Sequence, residues 1–286
     1  MKENRNYKDS VFTKLFSEPD SLRELYCALE GVTLPPDIPV SINTLEQVVF
    51  MDLYNDISFE IGGKLVILLE HQSTINPNMA LRLYLYNARV LEKTIKGKNL
   101  YSGKPLSVPW PEFYVLYNGK KPYPENETLR LSDLFERPYE LGLPENAVPL
   151  LDLEVKVINI NEGKNQAIIN RCKKLAEYSS FIAKVYEFEE EYKDRKEGIM
   201  AAIKYCAKHD ILKQFLEIHG SEVLNMLLTE WNTEDAIAVA REEGLEEGLE
   251  KGREEGREEG REEGREEVFN LLNQGFSIQE IKKRLT

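Results

Sequence analysis

Two carboxylates and an amide lie within one short stretch of the sequence, and their types and spacing suit the binding of a metal ion. Asp56 begins a short, half-apolar segment, 56–61, that is predicted to be a strand, while Glu70 and Gln72 end the apolar segment 65–72. Side chains alternate between the two faces of a strand, so Glu70 and Gln72 share one face and His71 lies on the other. A carboxylate that ends a buried strand is costly unless a cation or a donor compensates its charge.

The loop between these two segments determines whether the carboxylates face each other. The sequence Gly-Gly-Lys at positions 62–64 predicts the turn of a β-hairpin. A three-residue loop places Asp56 directly across from Glu70, whereas a two-residue loop places it opposite Leu69 on the wrong face. In the first register the two carboxylates lie about 5 Å apart. A divalent cation with hard oxygen ligands, Mg²⁺ or Mn²⁺ rather than zinc, would remove their repulsion.

These residues also resemble a known nuclease motif. Asp56, thirteen intervening residues and Glu70-His71-Gln72 resemble the D…(D/E)xK motif of the PD-(D/E)xK nuclease superfamily. More narrowly, NDISFEIGGKLVILLEHQSTINPNMALRLYLY is similar to the Rpn family, the recombination-promoting nucleases and putative transposases of bacteria. The similarity extends to KDSVFTKLFSEPDSLRELYCALEG, FYVLYNG, LDLEVKVINI and the Glu-Arg-Gly tail. Gln72 stands where the wider superfamily has Lys, as it does across the Rpn-like group.

The resemblance implies an α/β fold with a restriction-endonuclease-like α-β-β-β-α-β core and a mixed central sheet. We expect the nuclease-like domain over residues 1–160, a helical region over 161–232 and a charged tail over 233–286. The tail contains a Glu-Arg-Gly tetrapeptide repeat followed by short amphipathic helices. A glycine every fourth residue costs about 1 kcal/mol relative to alanine, so the repeat is either a frayed helix or a solvated spacer.

The implied activity is that of a metal-dependent endonuclease that hydrolyses phosphodiester bonds in DNA. In this hypothesis Asp56 and Glu70 hold Mg²⁺ or Mn²⁺, and the backbone carbonyl of His71 is a further ligand. Gln72 can orient the attacking water, but a neutral amide cannot act as a base. Arg82 then becomes the candidate for the positive charge that a lysine supplies in the wider superfamily.

Arg82 lies on a helix that we expect to begin with Asn76 as its cap and Pro77 at its first position. One interpretation of Arg82 is a phosphate contact beside the metal site. The other is a solvated helix flank whose long side chain covers neighbouring apolar surface. On the first interpretation, replacing Arg82 reduces cleavage and leaves metal affinity nearly unchanged. The predicted buried stripe of this helix consists of Leu81, Leu85, Ala88, Leu91 and Ile95.

Two further strands are expected over residues 46–53 and 111–118, and another over 151–160. The last contains Asp152 and Glu154, which are either additional acidic ligands or the polar face of an exposed strand. Residues 119–149 form a polar, proline-marked connection with one helical turn. From 165 to about 230, apolar residues recur at helical spacing, which predicts a bundle.

The composition restricts the remaining choices. The formal net charge is −13, but residues 241–267 contribute thirteen Glu against six Arg and Lys, leaving −6 for the rest. Contact with DNA must therefore come from a local basic patch. No apolar run is long enough to cross a membrane, and no signal sequence precedes the first helix, so we expect a cytoplasmic protein. Three scattered cysteines and three scattered histidines indicate neither disulfides nor zinc.

One alternative is a protein that keeps the nuclease fold without cleaving and acts in DNA binding or assembly. In that case the helical region and tail would form a homo-oligomer. A true transposase is a third interpretation, which predicts strand joining in addition to cleavage, and no residue of the sequence indicates joining chemistry.

Overall fold

A computed structural model of the protein describes residues 10–42, 57–136, 141–142, 144, 146–229 and 252–253. The chain divides into two compact units, Met1–Glu230 and Trp231–Thr286. Almost all described residues belong to the first unit, and apart from residues 252–253 the tail repeat lies outside the described part of the chain. The expected division at residues 160 and 232 remains a prediction.

Within the described residues, six strands form one mixed sheet in the order β1-β2-β3-β4-β6-β5. They are β1 (Val40–Ile42), β2 (Ile57–Ile61), β3 (Leu65–Gln72), β4 (Trp110–Tyr117), β5 (Asn126–Arg130) and β6 (Glu154–Asn159). The first three strands are antiparallel, β3, β4 and β6 run parallel, and β5 is an antiparallel edge strand. The predicted α/β class with a mixed sheet is confirmed.

Helices precede, connect and follow these strands. They are α1 (Val11–Leu15), α2 (Pro19–Glu30), α3 (Met79–Ile95), α4 (Gln166–Ile169), α5 (Lys173–Glu191) and α6 (Arg195–Lys208), and residues 213–229 form a further helix, α7. A 3₁₀ turn, Leu131–Leu134, follows β5. The chain order α2-β1-β2-β3-α3-β4 has the expected α-β-β-β-α-β pattern, although its first strand, β1, is not the one predicted. Helices α4 to α7 follow in the region expected to be helical.

The hairpin of β2 and β3 has the predicted three-residue loop. Ile61 pairs with Leu65, and Ile57 pairs with Leu69. Gly62 and Gly63 have φ angles of 59° and 63°, in the left-handed region that glycine enters without steric cost. The predicted pair of Asp56 and Glu70 is the next step in this register, and Asp56 lies outside the described residues.

Helices cover both faces of the sheet. On one, the α3 face, alternate residues of β3, β4 and β6 pack against α3 in a buried apolar cluster. On the other, the α5 face, β3 residues contact α1 and α5, because His71 stacks on Phe12 and meets Tyr178. Because of this alternation, Glu70 and Gln72 face α3 while His71 faces α5, as predicted.

The start and the buried side of α3 differ from the prediction. The helix begins at Met79 with Asn78 as its cap residue, while the Asn76 side chain accepts a hydrogen bond from the Asn78 amide in the turn before it. The predicted stripe was wrong, since Leu81 is 42% exposed. Leucines lie on both sides of this helix, and the buried side is about half a turn from the predicted one. It comprises Met79, Ala80, Leu83, Tyr86 and Val90.

Two strands have no counterpart in the prediction. β1 follows the proline-rich loop and β5 lies inside the polar connection; both are short edge strands with mostly exposed residues. Such strands carry too little alternation of apolar and polar residues to be recognised. β4 and β6 match the predicted strands, and the strand expected over 46–53 lies outside the described residues.

Candidate active site

The candidate site lies at the carboxyl end of β3 on the α3 face. Glu70 is 3% exposed and pairs with Val115 of β4, while Gln72 pairs with Tyr117 at the end of the same strands. Because β3, β4 and β6 are parallel, their carboxyl ends meet at one edge of the sheet. Glu70 therefore belongs to this edge but is shielded by the helix that covers it.

Arg82 of α3 compensates the charge of Glu70. Its Nη2 atom lies 3.2 Å from Glu70 Oε2 and donates a second 3.2 Å hydrogen bond to the Tyr86 hydroxyl. The guanidinium carbon lies 5.9 Å from the centre of the Tyr86 ring, within cation–π range. The Arg82 side chain is 28% exposed, whereas that of Glu70 is 4% exposed. The guanidinium thus connects a buried carboxylate with solvent.

Gln72 reaches the same place through Met79, the first residue of α3. Its Nε2 donates to the Met79 sulfur, and Arg82 Nη1 lies 3.4 Å from that sulfur. A thioether is a weak acceptor, so these contacts hold the Gln72 amide loosely. Glu70, Gln72 and Arg82 are therefore brought together, and Met79 and Tyr86 join them. Sequence reasoning missed Met79, although it precedes Arg82 by three residues and so shares its side of the helix.

The His71 side chain does not join this group. It stacks on Phe12 with 4.7 Å between ring centres, and its Nε2 lies 3.0 Å from the Tyr178 hydroxyl. Burial lowers the pKa of His71 to about 4, and a hydrogen bond with the Asn118 side chain opposes this shift only in part. The imidazole is thus neutral at neutral pH and structural, and the role predicted for its backbone carbonyl as a metal ligand stays a prediction.

The ends of β3 and β4 are fastened to each other next to the site. The Asn118 amide donates to the Gln72 carbonyl over 3.0 Å, and the Asn118 carbonyl accepts from the Tyr186 hydroxyl over 2.9 Å. A Cβ atom at Gly119 would lie only 1.8 Å from the Ser73 carbonyl oxygen. This close approach fixes where β3 ends, and with it the position of Gln72.

The sequence of this region also matches that of a known protein family. The sequence profile of a protein family described as "Putative transposase, YhgA-like" matches residues 9–197. The chain belongs to this family. The match spans all strands of the sheet and the residues from Glu70 to Arg82, and it agrees with the resemblance to Rpn nucleases and putative transposases. No curated protein and no solved structure matches the chain.

Asp152 and Glu154 of this family member do not belong to the site. Arg130 forms ion pairs with both carboxylates, at 3.4 Å and 2.5 Å. Glu154 lies three residues before Val157, which is at the level of Glu70. At about 3.3 Å per residue, this separates it from that level by about 10 Å along the strand. The interpretation as exposed polar residues of a strand fits, and that as additional ligands does not.

The described part of the site fits one carboxylate ligand of a hard divalent cation. Glu70 provides oxygen atoms at a strand end, in a position where its charge needs a cationic partner. Among the described residues, no group of three or more His, Cys, Asp or Glu side chains is arranged to hold a metal ion. The second predicted carboxylate, Asp56, lies outside them.

No helix in the described part of the chain is long and apolar enough to cross a membrane.

Proposed function

We propose that this member of the YhgA-like family is a metal-dependent endonuclease that hydrolyses phosphodiester bonds in DNA. The observation that carries the proposal is the meeting of Glu70, Gln72 and Arg82 at the carboxyl end of β3, on an α-β-β-β-α-β core. The family description, a transposase, supports DNA as the partner.

Asp56 and Glu70 are the residues that would hold Mg²⁺ or Mn²⁺ in this proposal. When bound, the ion supplies acidity to a coordinated water molecule and positive charge beside the phosphate. The two carboxylates would keep the ion at the end of β3, and the α3 face around Glu70 is apolar. Coulomb interactions are stronger in such surroundings than in water.

Arg82 and Gln72 divide the work that a lysine does in the wider superfamily. The guanidinium of Arg82 is always charged and offers several donors in a planar fork that matches phosphate oxygens. Gln72 offers an amide that accepts and donates hydrogen bonds, so it orients the attacking water without removing its proton. Arg82 is partly exposed while Gln72 lies at the strand end, so both are placed at the edge that a DNA backbone would approach.

The proposal is tested by incubating the purified protein with plasmid DNA and Mg²⁺ or Mn²⁺. We expect nicking or linearisation by the wild-type protein and its loss in Asp56→Ala. The matched control is Glu154→Gln, which alters an exposed carboxylate of the same sheet away from the site and should leave cleavage intact. Equal residual cleavage in wild type and Asp56→Ala would contradict the proposal.

A protein that binds DNA or assembles without cleaving it is the second candidate. The absence of a lysine at position 72 and the engagement of Arg82 by Glu70 favour it. Binding of DNA fragments by a wild-type protein that leaves plasmids intact with both metals would establish this alternative. Joined DNA products in the same assay would instead indicate a transposase.

A further inference from the structure

We propose that the Arg82 guanidinium is a built-in cation at Glu70 that a divalent metal ion displaces, so that metal binding frees Arg82 to contact a phosphate. The inference rests on the proposed function, because it concerns the same carboxylate. It adds a competition within the protein and a coupling between metal binding and DNA binding.

The geometry of Glu70 is the first step of the argument. Its side chain is nearly inaccessible, and its Oε2 atom is 3.2 Å from Arg82 Nη2. A divalent cation binds a carboxylate oxygen at about 2.0 to 2.6 Å, so an ion on either oxygen of Glu70 lies within a few ångströms of this guanidinium. Two cations so close together repel each other strongly in a partly buried place. Metal and guanidinium therefore compete for Glu70.

The surroundings of Arg82 give it a second position. Arg82 Nη2 also donates to the Tyr86 hydroxyl. Tyr86 is fully buried, so this anchor stays in place when the ion pair between Arg82 and Glu70 is broken. The contact of Nη1 with the Met79 sulfur is weak, and more than a quarter of the side chain is exposed. A guanidinium released from Glu70 thus stays at the edge of the site with its donors directed toward solvent.

The consequence is a defined order of events. Without metal, the guanidinium of Arg82 forms its ion pair with Glu70 and therefore binds phosphate poorly. With metal, Glu70 is compensated by the ion, and Arg82 offers its charge to the DNA backbone. The protein therefore binds DNA more tightly in the presence of the metal than the charge of the metal alone would explain.

The inference is tested on the full chain without DNA by calorimetric titration with Mn²⁺. Arg82→Met keeps the aliphatic stem and removes the competing charge, so we expect Mn²⁺ affinity to rise by roughly five- to tenfold. The matched control is Arg89→Met on the same helix, which removes an equal charge about two turns away from the residue that pairs with Glu70. It should change Mn²⁺ affinity by less than about twofold, since a more distant, partly exposed charge is screened by solvent and salt.

A second variant covers the case in which Arg82→Met does not fold. Tyr86→Phe removes the anchor of the guanidinium and leaves its charge, so DNA-fragment binding in the presence of Ca²⁺ should weaken while Mn²⁺ binding remains. Equal Mn²⁺ affinities of wild type and Arg82→Met, or lower affinity in the variant, would overturn the competition. No Mn²⁺ binding by wild type, Arg82→Met or Arg89→Met would instead overturn the metal site of the proposed function itself.

Discussion

The two faces of the central sheet use the same types of side chain for different purposes. On the α3 face, Glu70 pairs with Arg82 at a strand end, and Arg82 in turn donates to the Tyr86 hydroxyl. On the α5 face, the hydroxyl of Tyr114 lies 2.7 Å from Glu30 and 2.6 Å from Glu112, and Lys156 pairs with Glu30 over 2.6 Å. A carboxylate shielded by the fold and paired with a cation is thus no sign of a site by itself, since Glu30 is also only partly exposed.

The difference lies in what holds each carboxylate. Glu30 ends α2 and is tied to β4 and β6 by two partners, so its hydrogen bonds join a helix to the sheet. Burial raises the pKa of Tyr114, and the hydrogen bonds to Glu112 and Glu30 raise it further, so its hydroxyl stays a donor. Glu70 has its cation on the covering helix beside the edge of the sheet. Both faces stabilise the fold, and the proposed function assigns chemistry only to the strand end of the α3 face.

The largest expected effect is a contrast between two isosteric substitutions. Glu70→Gln should reduce plasmid cleavage by about a hundredfold or more, because loss of a metal ligand removes several kcal/mol of transition-state stabilisation. Glu30→Gln should leave the cleavage rate within about twofold, since its carboxylate lies on the other face. Initial cleavage rates under identical conditions measure both. Similar losses in the two variants would abolish the distinction between the faces.

Stability should show the opposite order. Tyr178→Phe removes the hydroxyl between His71 and Asn118 on the buried α5 face, at a cost of about 1 kcal/mol in unfolding free energy. Tyr86→Phe on the α3 face should cost less, because its partner Arg82 keeps access to solvent. Urea unfolding followed by circular dichroism gives both values. A larger loss for Tyr86→Phe would show that the α3 face also carries structural hydrogen bonds.

The ion pair between Glu30 and Lys156 predicts a modest loss of stability in acid. Burial opposes ionisation of Glu30, but hydrogen bonds from Lys156 and Tyr114 outweigh it and hold the pKa of Glu30 below its ordinary value of 4.5. A depressed pKa in the folded state stabilises the protein above 4.5, and this contribution is lost as the pH falls below it. Because Lys156 is half exposed, the loss should stay under about 1 kcal/mol. Unfolding free energies of wild type and Lys156→Met, compared across that range, should converge in acid, and a constant difference would contradict this assignment.

The smallest effect is expected from removing residues 241–286. The residues of both faces lie within the unit Met1–Glu230, and the family match ends at residue 197. The shortened protein should unfold with the same midpoint as the full chain and cleave DNA at a similar rate. Loss of cooperative unfolding on truncation would show that the tail belongs to the core.

Local patterns explain which parts of this fold were predictable. The Gly-Gly-Lys turn sets the register of the hairpin and thereby the faces of Glu70 and His71, because alternation along a strand needs no distant information. The buried side of α3 was not predictable, since leucines occur on both sides of that helix. It depends on Met79 and Tyr86 fitting against the sheet.

Contacts between distant positions explain most of what the sequence did not reveal. Tyr178 and His71 are 107 residues apart, and Tyr114 and Glu30 are 84 apart. Arg82 and Glu70 are only 12 apart, yet their pairing depends on the angle at which α3 returns over the sheet. The expectation that loss of Arg82 leaves metal affinity unchanged stays a prediction, and the competition proposed above for this ion pair predicts the opposite.

Gly119 affects the geometry of the candidate site without being part of it, because the missing side chain permits a close contact with Ser73. Its φ angle is not among the positive ones, so alanine is excluded at this position by lack of space and not by backbone conformation. An added Cβ would act as a wedge against the Ser73 carbonyl and push the tip of β3 away from β4. Because Gly119 carries only a hydrogen atom, the ends of β3 and β4 can approach each other, and this approach sets the position of Gln72. A side chain at position 119 would therefore displace the end of β3 and Gln72, although it would remove no polar group from the site.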